Sequence, residues 1–204
     1  MTRSDLARAA VRLAARDRDL ARILRTDGVP PLWGRRPGFR TLLRIILEQQ
    51  VSLASAQAAC RRLEAGVRPL TPQQVLALGA LRLRRLGITR QKAAYCINVS
   101  RALCDDGGLD LRALAAFDDD AVRARLVRIK GIGPWTADIY LVMAMRRPDV
   151  WPAGDVALAK ALRVVKRLRT TPSAARMSEI AEGWRPFRAV AARMLWHHYL
   201  LGGI

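Results

Sequence analysis

The chain has 204 residues, and 51% of them are hydrophobic, which is enough for the core of one compact domain or of two small lobes. Lysine and arginine together number 36 against 17 acidic residues, so the net charge is +19. Only four of the basic residues are lysines, a bias that a GC-rich genome explains, although such a genome does not explain the shortage of acids. The electrostatic field of such a net positive charge attracts polyanions. Nucleic acid is therefore the leading predicted partner, and an anionic membrane surface is the second.

Several classes of protein are excluded by what the sequence lacks. No apolar run is long enough to cross a bilayer, and residues 1–6 carry charge without an apolar signal core behind them. We expect a soluble, cytoplasmic monomer, associated with the nucleoid if the source is bacterial. The three cysteines are far apart without a Cys-x-x-Cys pair, and the two histidines, His197 and His198, are adjacent and point in different directions on a helix. No metal site is predicted.

The apolar residues recur with helical spacing along the whole chain, and no segment alternates as a strand would, so we predict an all-α fold. Thr71 and Asp118 stand where N-cap residues belong. Loops rich in proline and glycine at 29–34 and 148–154 bracket a central lobe, which predicts two lobes, 1–33 with 150–204 and 34–149. The predicted helices are 4–25, 39–47, 53–65, 72–77, 90–104, 111–116, 119–129, 134–146, 156–168, 174–183 and 187–201.

The segment Lys130-Gly131-Ile132-Gly133-Pro134-Trp135 connects two of these helices. Two glycines one residue apart allow positive φ angles and a close approach of another molecule, and Pro134 suits the first position of the second helix. Free amides in such a turn, next to a helix N-terminus, suit a phosphate oxygen. The alternative from the residues alone is a short connection between two helices with no ligand.

Four segments in this order resemble the signatures of the helix-hairpin-helix DNA glycosylases, and most closely the 3-methyladenine DNA glycosylase II branch. They are Ile46-Leu47-Glu48-Gln49-Gln50-Val51-Ser52, then Leu86-Gly87-Ile88-Thr89-Arg90-Gln91-Lys92-Ala93, then 129–137, then Trp151-Pro152-Ala153-Gly154-Asp155-Val156-Ala157-Leu158. The resemblance covers roughly residues 38–200. It implies two helical lobes with a DNA-binding cleft between them and a helix-hairpin-helix at about 119–147. It also implies a compact form without the N-terminal β-rich domain of larger members.

The resemblance also implies roles for individual residues. Asp155 would be the catalytic carboxylate, although an aspartate at a helix start is also a common N-cap. Gln50 would be the wedge that fills the gap left by a flipped base, and a solvated surface glutamine is the alternative. The pocket for the base would include Trp135, Tyr140, Trp33, Phe39 and Phe187. The DNA backbone would be held by Lys130, Gly131, Ile132, Gly133 and Thr136.

The resemblance implies a monofunctional enzyme that leaves an abasic site in double-stranded DNA containing a damaged base. Members that also cut the DNA backbone have a lysine two residues after the second hairpin glycine, where this chain has Trp135. No iron–sulfur cluster is expected because no cysteine follows Cys104, and the only ion considered is a monovalent cation at the hairpin. Alkylated purines are the expected substrates. Two alternatives remain open: a glycosylase for uracil, hypoxanthine or an oxidised or mismatched base, and a DNA-binding protein without catalysis.

Overall fold

The structure is a computed structural model that describes residues 1–105 and 108–202. Over these residues the chain forms eleven α-helices and one 3₁₀ helix, with no strand, so the all-α prediction is confirmed. The helices are α1 (Arg3–Arg16), α2 (Arg18–Asp27), α3 (Phe39–Glu48), α4 (Leu53–Gly66), α5 (Pro72–Arg85), α6 (Arg90–Cys104), α7 (Asp119–Val127), α8 (Pro134–Met143), α9 (Val156–Val165), α10 (Ala174–Glu182) and α11 (Arg188–Leu200), with the 3₁₀ helix at Ala113–Ala116.

The chain divides into two compact units. The first unit combines Met1–Gly34 with Arg146–Ile204, and the second is Arg35–Met145. The first unit therefore contains α1, α2 and α9 to α11, while the second contains α3 to α8. No helix in the described part of the chain has both the length and the apolar character that crossing a membrane requires.

In the first unit, α11 is the central helix. Every residue from Ala189 to Trp196 is buried, and α11 contacts α1, α2, α9 and α10. A helix that is buried on all sides cannot show the usual apolar stripe, because every face meets other helices. The first unit is thus packed around α11.

The N-terminal region differs from the sequence prediction. A single helix over 4–25 is wrong, because Asp17 adopts an extended conformation (φ −132°, ψ 112°) that ends α1 and begins α2. Its carboxylate accepts the amide hydrogens of Asp19 and Leu20 at 2.9 and 3.2 Å, so Asp17 is the N-cap of α2.

Asp17 also joins distant parts of the first unit. Its carboxylate accepts hydrogen bonds from Lys166 Nζ at 2.7 Å and from Trp184 Nε1 at 2.8 Å. Burial alone would raise the pKa of Asp17, but the hydrogen bonds from Lys166 and Trp184 outweigh it and hold the pKa below its ordinary value. One carboxylate therefore connects α2, the end of α9 and the segment after α10.

In the second unit, α8 is the central helix. All residues from Thr136 to Val142 are buried, and α8 packs against α3 and α7. The α5 helix extends beyond the predicted range 72–77 and is interrupted at Gly79, whose φ of 73° is not helical. The predicted caps Thr71 and Asp118 are confirmed, since their side chains accept the amide hydrogens of Gln74 and Ala121.

Replacing Asp17 with alanine should lower the free energy of unfolding at pH 7 by about 2–3 kcal/mol, because a helix cap and a half-buried ion pair are lost together. A carboxylate whose folded pKa is depressed stabilises the fold above its unfolded pKa and loses this effect as pH falls through the folded pKa. The difference between wild type and variant should therefore shrink below about pH 4. Urea unfolding at pH 7 and pH 3 measures both effects.

Ser173→Ala is the matched control for Asp17→Ala, because Ser173 caps α10 in the same unit without an ionic partner. It should cost about 1 kcal/mol with little dependence on pH. Equal losses in the two variants would show that Asp17 acts only as a cap.

Candidate functional site

The connection between α7 and α8 is a tight turn anchored by buried isoleucines. After α7 ends at Val127, the Ile132 amide donates to the Ile129 carbonyl at 2.9 Å. The side chains of Ile129 and Ile132 are 8% and 3% exposed. Ile132 therefore fixes the turn through its side chain and amide, whereas the sequence prediction grouped it with residues that hold DNA.

The two glycines of the turn have different roles. Gly131 has φ 110°, and a Cβ atom there would lie 2.3 Å from Cγ of Tyr95, so any side chain would clash with the ring. Gly133 has φ −89° and ψ 176°, and a Cβ atom there would meet nothing within 4 Å. The predicted positive φ is thus confirmed for Gly131 and wrong for Gly133, which is extended because it serves as the N-cap position of α8.

The turn offers donors to a ligand. Within residues 1–105 and 108–202, the amides of Gly131 and Gly133 donate no hydrogen bond to the protein. Gly133 and Lys130 are exposed, and Lys130 adds a positive charge beside the two amides. Amides of this kind at the start of a helix bind anions such as phosphate.

Two side-chain amides hold the turn from behind. Gln49 Nε2 donates to the Gly131 carbonyl at 3.1 Å and to Thr136 Oγ1 at 2.8 Å, and Asn98 Nδ2 donates to the Lys130 carbonyl at 3.0 Å. Thr136 was predicted to contact DNA, but it is 2% exposed and its hydroxyl is bonded to Gln49. Its observed role is to hold Gln49 in place.

Gln50 directly follows this clamp. It has φ 53° and an exposed side chain at the end of α3. The preceding helix end is fixed by Lys92, whose Nζ donates to the Leu47 carbonyl at 2.7 Å, and burial lowers the pKa of Lys92. The structure therefore places the exposed Gln50 one residue after Gln49, which contacts the hairpin, and the wedge role stays a prediction.

The predicted pocket aromatics of the second unit lie in different environments. Trp135 is half-buried at the second position of α8. Tyr140 is fully buried, its hydroxyl accepts the Gly38 amide at 3.0 Å, and burial raises its pKa. Phe39 begins α3 and lines a surface depression with Pro72 and Leu109. Only Trp135 adjoins the hairpin along the chain, and Tyr140 packs the core.

In the first unit, Asp155 is the N-cap of α9, as one of the two sequence-based interpretations expected. Its Oδ1 accepts the Leu158 amide at 2.9 Å and the indole N–H of Trp196 at 3.1 Å, and the residue is 8% exposed. Two donors from different helices therefore fix one carboxylate oxygen. A negative charge at this position also interacts favourably with the N-terminus of α9.

Trp33 lies against the same part of α11 that holds Asp155. Its ring meets His197 edge-on at 6.0 Å between centroids, and the buried Arg193 donates through Nη1 to the Leu32 carbonyl. Arg193, Trp196 and His197 share a face of α11 because they are three and four residues apart. The first unit thus brings Trp33 and Asp155 towards one stretch of helix. Burial lowers the pKa of Arg193 to about 10.

Phe187 lies elsewhere in the first unit. It precedes α11 and lines a surface depression with Ala9 and Pro148. It is nine residues before Trp196, which corresponds to about 13 Å along the helix. Phe187 is therefore not brought to Asp155.

One known protein family matches most of this chain. A family model described as "HhH-GPD superfamily base excision DNA repair protein" matches residues 43–186, which include the hairpin and Asp155. The chain belongs to the HhH-GPD superfamily. Proteins with different substrates belong to this superfamily, so membership alone does not identify the substrate of this protein.

Two curated relatives are similar in sequence to most of this chain. A DNA-3-methyladenine glycosylase of Bacillus subtilis is 25% identical over 185 residues, which cover 85% of this chain and 59% of that relative. Endonuclease III of Sulfolobus acidocaldarius is 30% identical over 169 residues, covering 80% of this chain and 70% of that relative. The chain therefore spans about three fifths of the length of the first of these curated relatives.

A solved structure shows the same fold. The 3-methyladenine DNA glycosylase of Schizosaccharomyces pombe, in complex with abasic DNA, matches with a TM-score of 0.81 and 24% identity. The match covers 97% of this chain and 98% of that one. The two proteins thus share one fold over nearly all of the given chain.

Proposed function

We propose that this protein is a monofunctional DNA glycosylase that hydrolyses the N-glycosidic bond of an alkylated purine, such as 3-methyladenine or 7-methylguanine, in duplex DNA. The observation that carries the proposal is Asp155, a buried carboxylate fixed by Leu158 and Trp196 in a member of the HhH-GPD superfamily. The product of the proposed reaction is an abasic site in the DNA.

Asp155 supplies the electrostatic part of the reaction. As the bond between base and sugar breaks, positive charge develops on the sugar, and a fixed carboxylate stabilises that charge. Water adds to the sugar carbon, the cationic base leaves as a neutral molecule, and the proton of the water passes to solvent through the carboxylate. Because Leu158 and Trp196 hold the carboxylate before substrate arrives, little reorganisation is needed.

The hairpin binds the DNA backbone. The amides of Gly131 and Gly133 donate to a phosphate, Lys130 adds charge, and the net charge of +19 steers the protein to the duplex. Gln50 fills the space left by the flipped nucleotide. Under this proposal a monovalent cation would bind at the carbonyls of Lys130 and Gly131, each of which accepts one amide and keeps a second lone pair.

Trp135 supplies selectivity. Alkylation at a purine ring nitrogen leaves the base cationic, and an indole attracts such a base by stacking and by cation–π interaction. Trp135 also occupies the position where a lyase needs lysine, which supports hydrolysis without cleavage of the backbone.

Replacing Asp155 with asparagine should reduce the single-turnover rate of excision by about a hundredfold or more, because the developing charge loses its partner. Asparagine is an equally good N-cap, so the fold and duplex binding should persist. The measurement is release of 7-methylguanine from a defined duplex, with binding followed by fluorescence anisotropy. Excision at the wild-type rate would remove Asp155 from the mechanism.

Borohydride should trap no covalent adduct in either protein, whereas an adduct would indicate attack by a lysine.

Replacing Gly133 with alanine should weaken duplex binding about tenfold for every DNA sequence, because the added methyl group stands where a phosphate approaches and phosphate contacts do not read bases. The substitution meets no atom of the protein and requires no positive φ, so the melting temperature should stay close to wild type.

Gly183→Ala is the matched control for Gly133→Ala, since Gly183 likewise has no positive φ and its Cβ atom would meet only one neighbour, at 3.8 Å, an ordinary contact distance. It should bind normally. Unchanged binding by Gly133→Ala, or a loss confined to DNA with a lesion, would contradict the role of the hairpin.

Replacing Trp135 with alanine should lower excision of cationic 7-methylguanine more than that of neutral hypoxanthine, because stacking with cation–π attraction is worth roughly 1–3 kcal/mol. The ratio of the two rates on the same variant is the measurement, since it cancels any loss of folded protein. An unchanged ratio would show that Trp135 packs the protein and does not select charged bases. Efficient excision of another class of lesion by the wild type would show that this class is the substrate.

A further inference from the structure

Two side-chain amides hold the hairpin, and they act on different peptide groups. Gln49 Nε2 donates to the Gly131 carbonyl at 3.1 Å, whereas Asn98 Nδ2 donates to the Lys130 carbonyl at 3.0 Å. Gln49 ends α3, and Asn98 lies within α6, so the two donors reach the hairpin from separate helices. The proposed function gives a role to neither amide.

Asn98 controls the direction of a phosphate donor. The peptide bond between Lys130 and Gly131 is trans. In a trans peptide the carbonyl and the amide hydrogen point in opposite directions. Because Asn98 holds the Lys130 carbonyl, the Gly131 amide faces away from Asn98 and is directed towards a ligand.

Gln49 acts on the next peptide group, which offers nothing to a phosphate. The amide of that group belongs to Ile132 and already donates to the Ile129 carbonyl at 2.9 Å. The other hydrogen of the Gln49 amide goes to Thr136 Oγ1, 2.8 Å away on the buried face of α8. Both hydrogens of one amide therefore tie the end of α3 to the hairpin and to α8.

The residue after Gln49 has a backbone that depends on its neighbours. Gln50 has φ 53°, a left-handed conformation that is uncommon for a residue other than glycine. Such a conformation persists where the surrounding structure fixes it. On one side Gln49 is tied to the hairpin, and on the other Ser52 caps α4 by accepting the Ser55 amide at 3.2 Å. Gln49 thus sets where the exposed Gln50 stands relative to the hairpin.

We propose that Gln49 is a positioning residue that couples phosphate binding at the hairpin to the entry of Gln50 into the gap left by the flipped base. The inference rests on the proposed function, in which the hairpin binds phosphate and Gln50 is the wedge. The two amides then have separate roles: Asn98 directs the donor that binds phosphate, and Gln49 holds Gln50 at a fixed position relative to that phosphate. A wedge that is held in advance needs little ordering when it enters the gap.

The test compares Gln49→Met with Asn98→Leu, because each replaces an amide donor of the hairpin with an apolar side chain of similar size. Affinity for an undamaged duplex, measured by fluorescence anisotropy, reports phosphate binding alone. The second probe is a duplex that contains an abasic-site analogue with the fluorescent base 2-aminopurine opposite it. Its fluorescence at saturating protein reports how far the gap is filled, independently of affinity and of excision. Gln50→Ala defines the part of this signal that comes from the wedge.

The two variants should differ in kind. Asn98→Leu should weaken binding of the undamaged duplex by about tenfold and keep the wild-type fluorescence change at saturation, because only the phosphate donor is misdirected. Gln49→Met should bind the undamaged duplex within about threefold of wild type but lose most of the wedge signal. Thr136→Val should lose a smaller part of that signal, since the bond from Gln49 to Gly131 remains. If Gln49→Met folds poorly, as judged by its melting temperature, Thr136→Val decides, because it removes a hydroxyl with little change of shape.

Losses of affinity and of wedge signal in the same proportion for Gln49→Met and Asn98→Leu would overturn the proposal, since both amides would then only hold the hairpin. A full signal in Gln50→Ala would also overturn it, because Gln50 would not be the wedge. A wild type that binds the undamaged duplex but gives no fluorescence change on the abasic duplex would contradict the proposed function itself. The two failures are therefore distinguishable.

Discussion

A helix that is buried on every side can present functional groups only at its ends or through the partners packed around it. Both units depend on this constraint, because α8 and α11 leave no solvent-facing side chain over most of their length. In the second unit, the reactive features gather at the start of α8, where the hairpin meets Trp135. In the first unit, Trp196 reaches outward from α11 to Asp155, so the carboxylate that we propose for catalysis is fixed by the core itself.

Much of this arrangement could be predicted from local sequence patterns. Helical periodicity gives the all-α fold, and caps such as Thr71 and Asp118 follow from side-chain chemistry next to an apolar pattern. The break at Asp17 could not be predicted, because a helical pattern continues across it and the deciding contacts come from Lys166 and Trp184, far along the chain. Long-range hydrogen bonds of this kind leave no local signal.

The site shows the same division between local and distant causes. Asp155 as a cap follows from its position, whereas its bond to Trp196 depends on how α11 packs. Gln49 and Asn98 were missed because polar amide side chains, whether at a helix end like Gln49 or within a helix like Asn98, are mostly exposed to solvent. Thr136 was predicted to contact DNA because the resemblance places it with the hairpin, although its hydroxyl turns inward to Gln49.

The contact between Gly131 and Tyr95 has a consequence for how this protein can evolve. The ring of Tyr95 occupies the volume in which a side chain at Gly131 would stand. A larger residue at position 131 becomes possible only after the ring at position 95 has become smaller, and even then the left-handed backbone disfavours it. The two positions should therefore be linked among relatives, with the glycine retained wherever the aromatic ring is present.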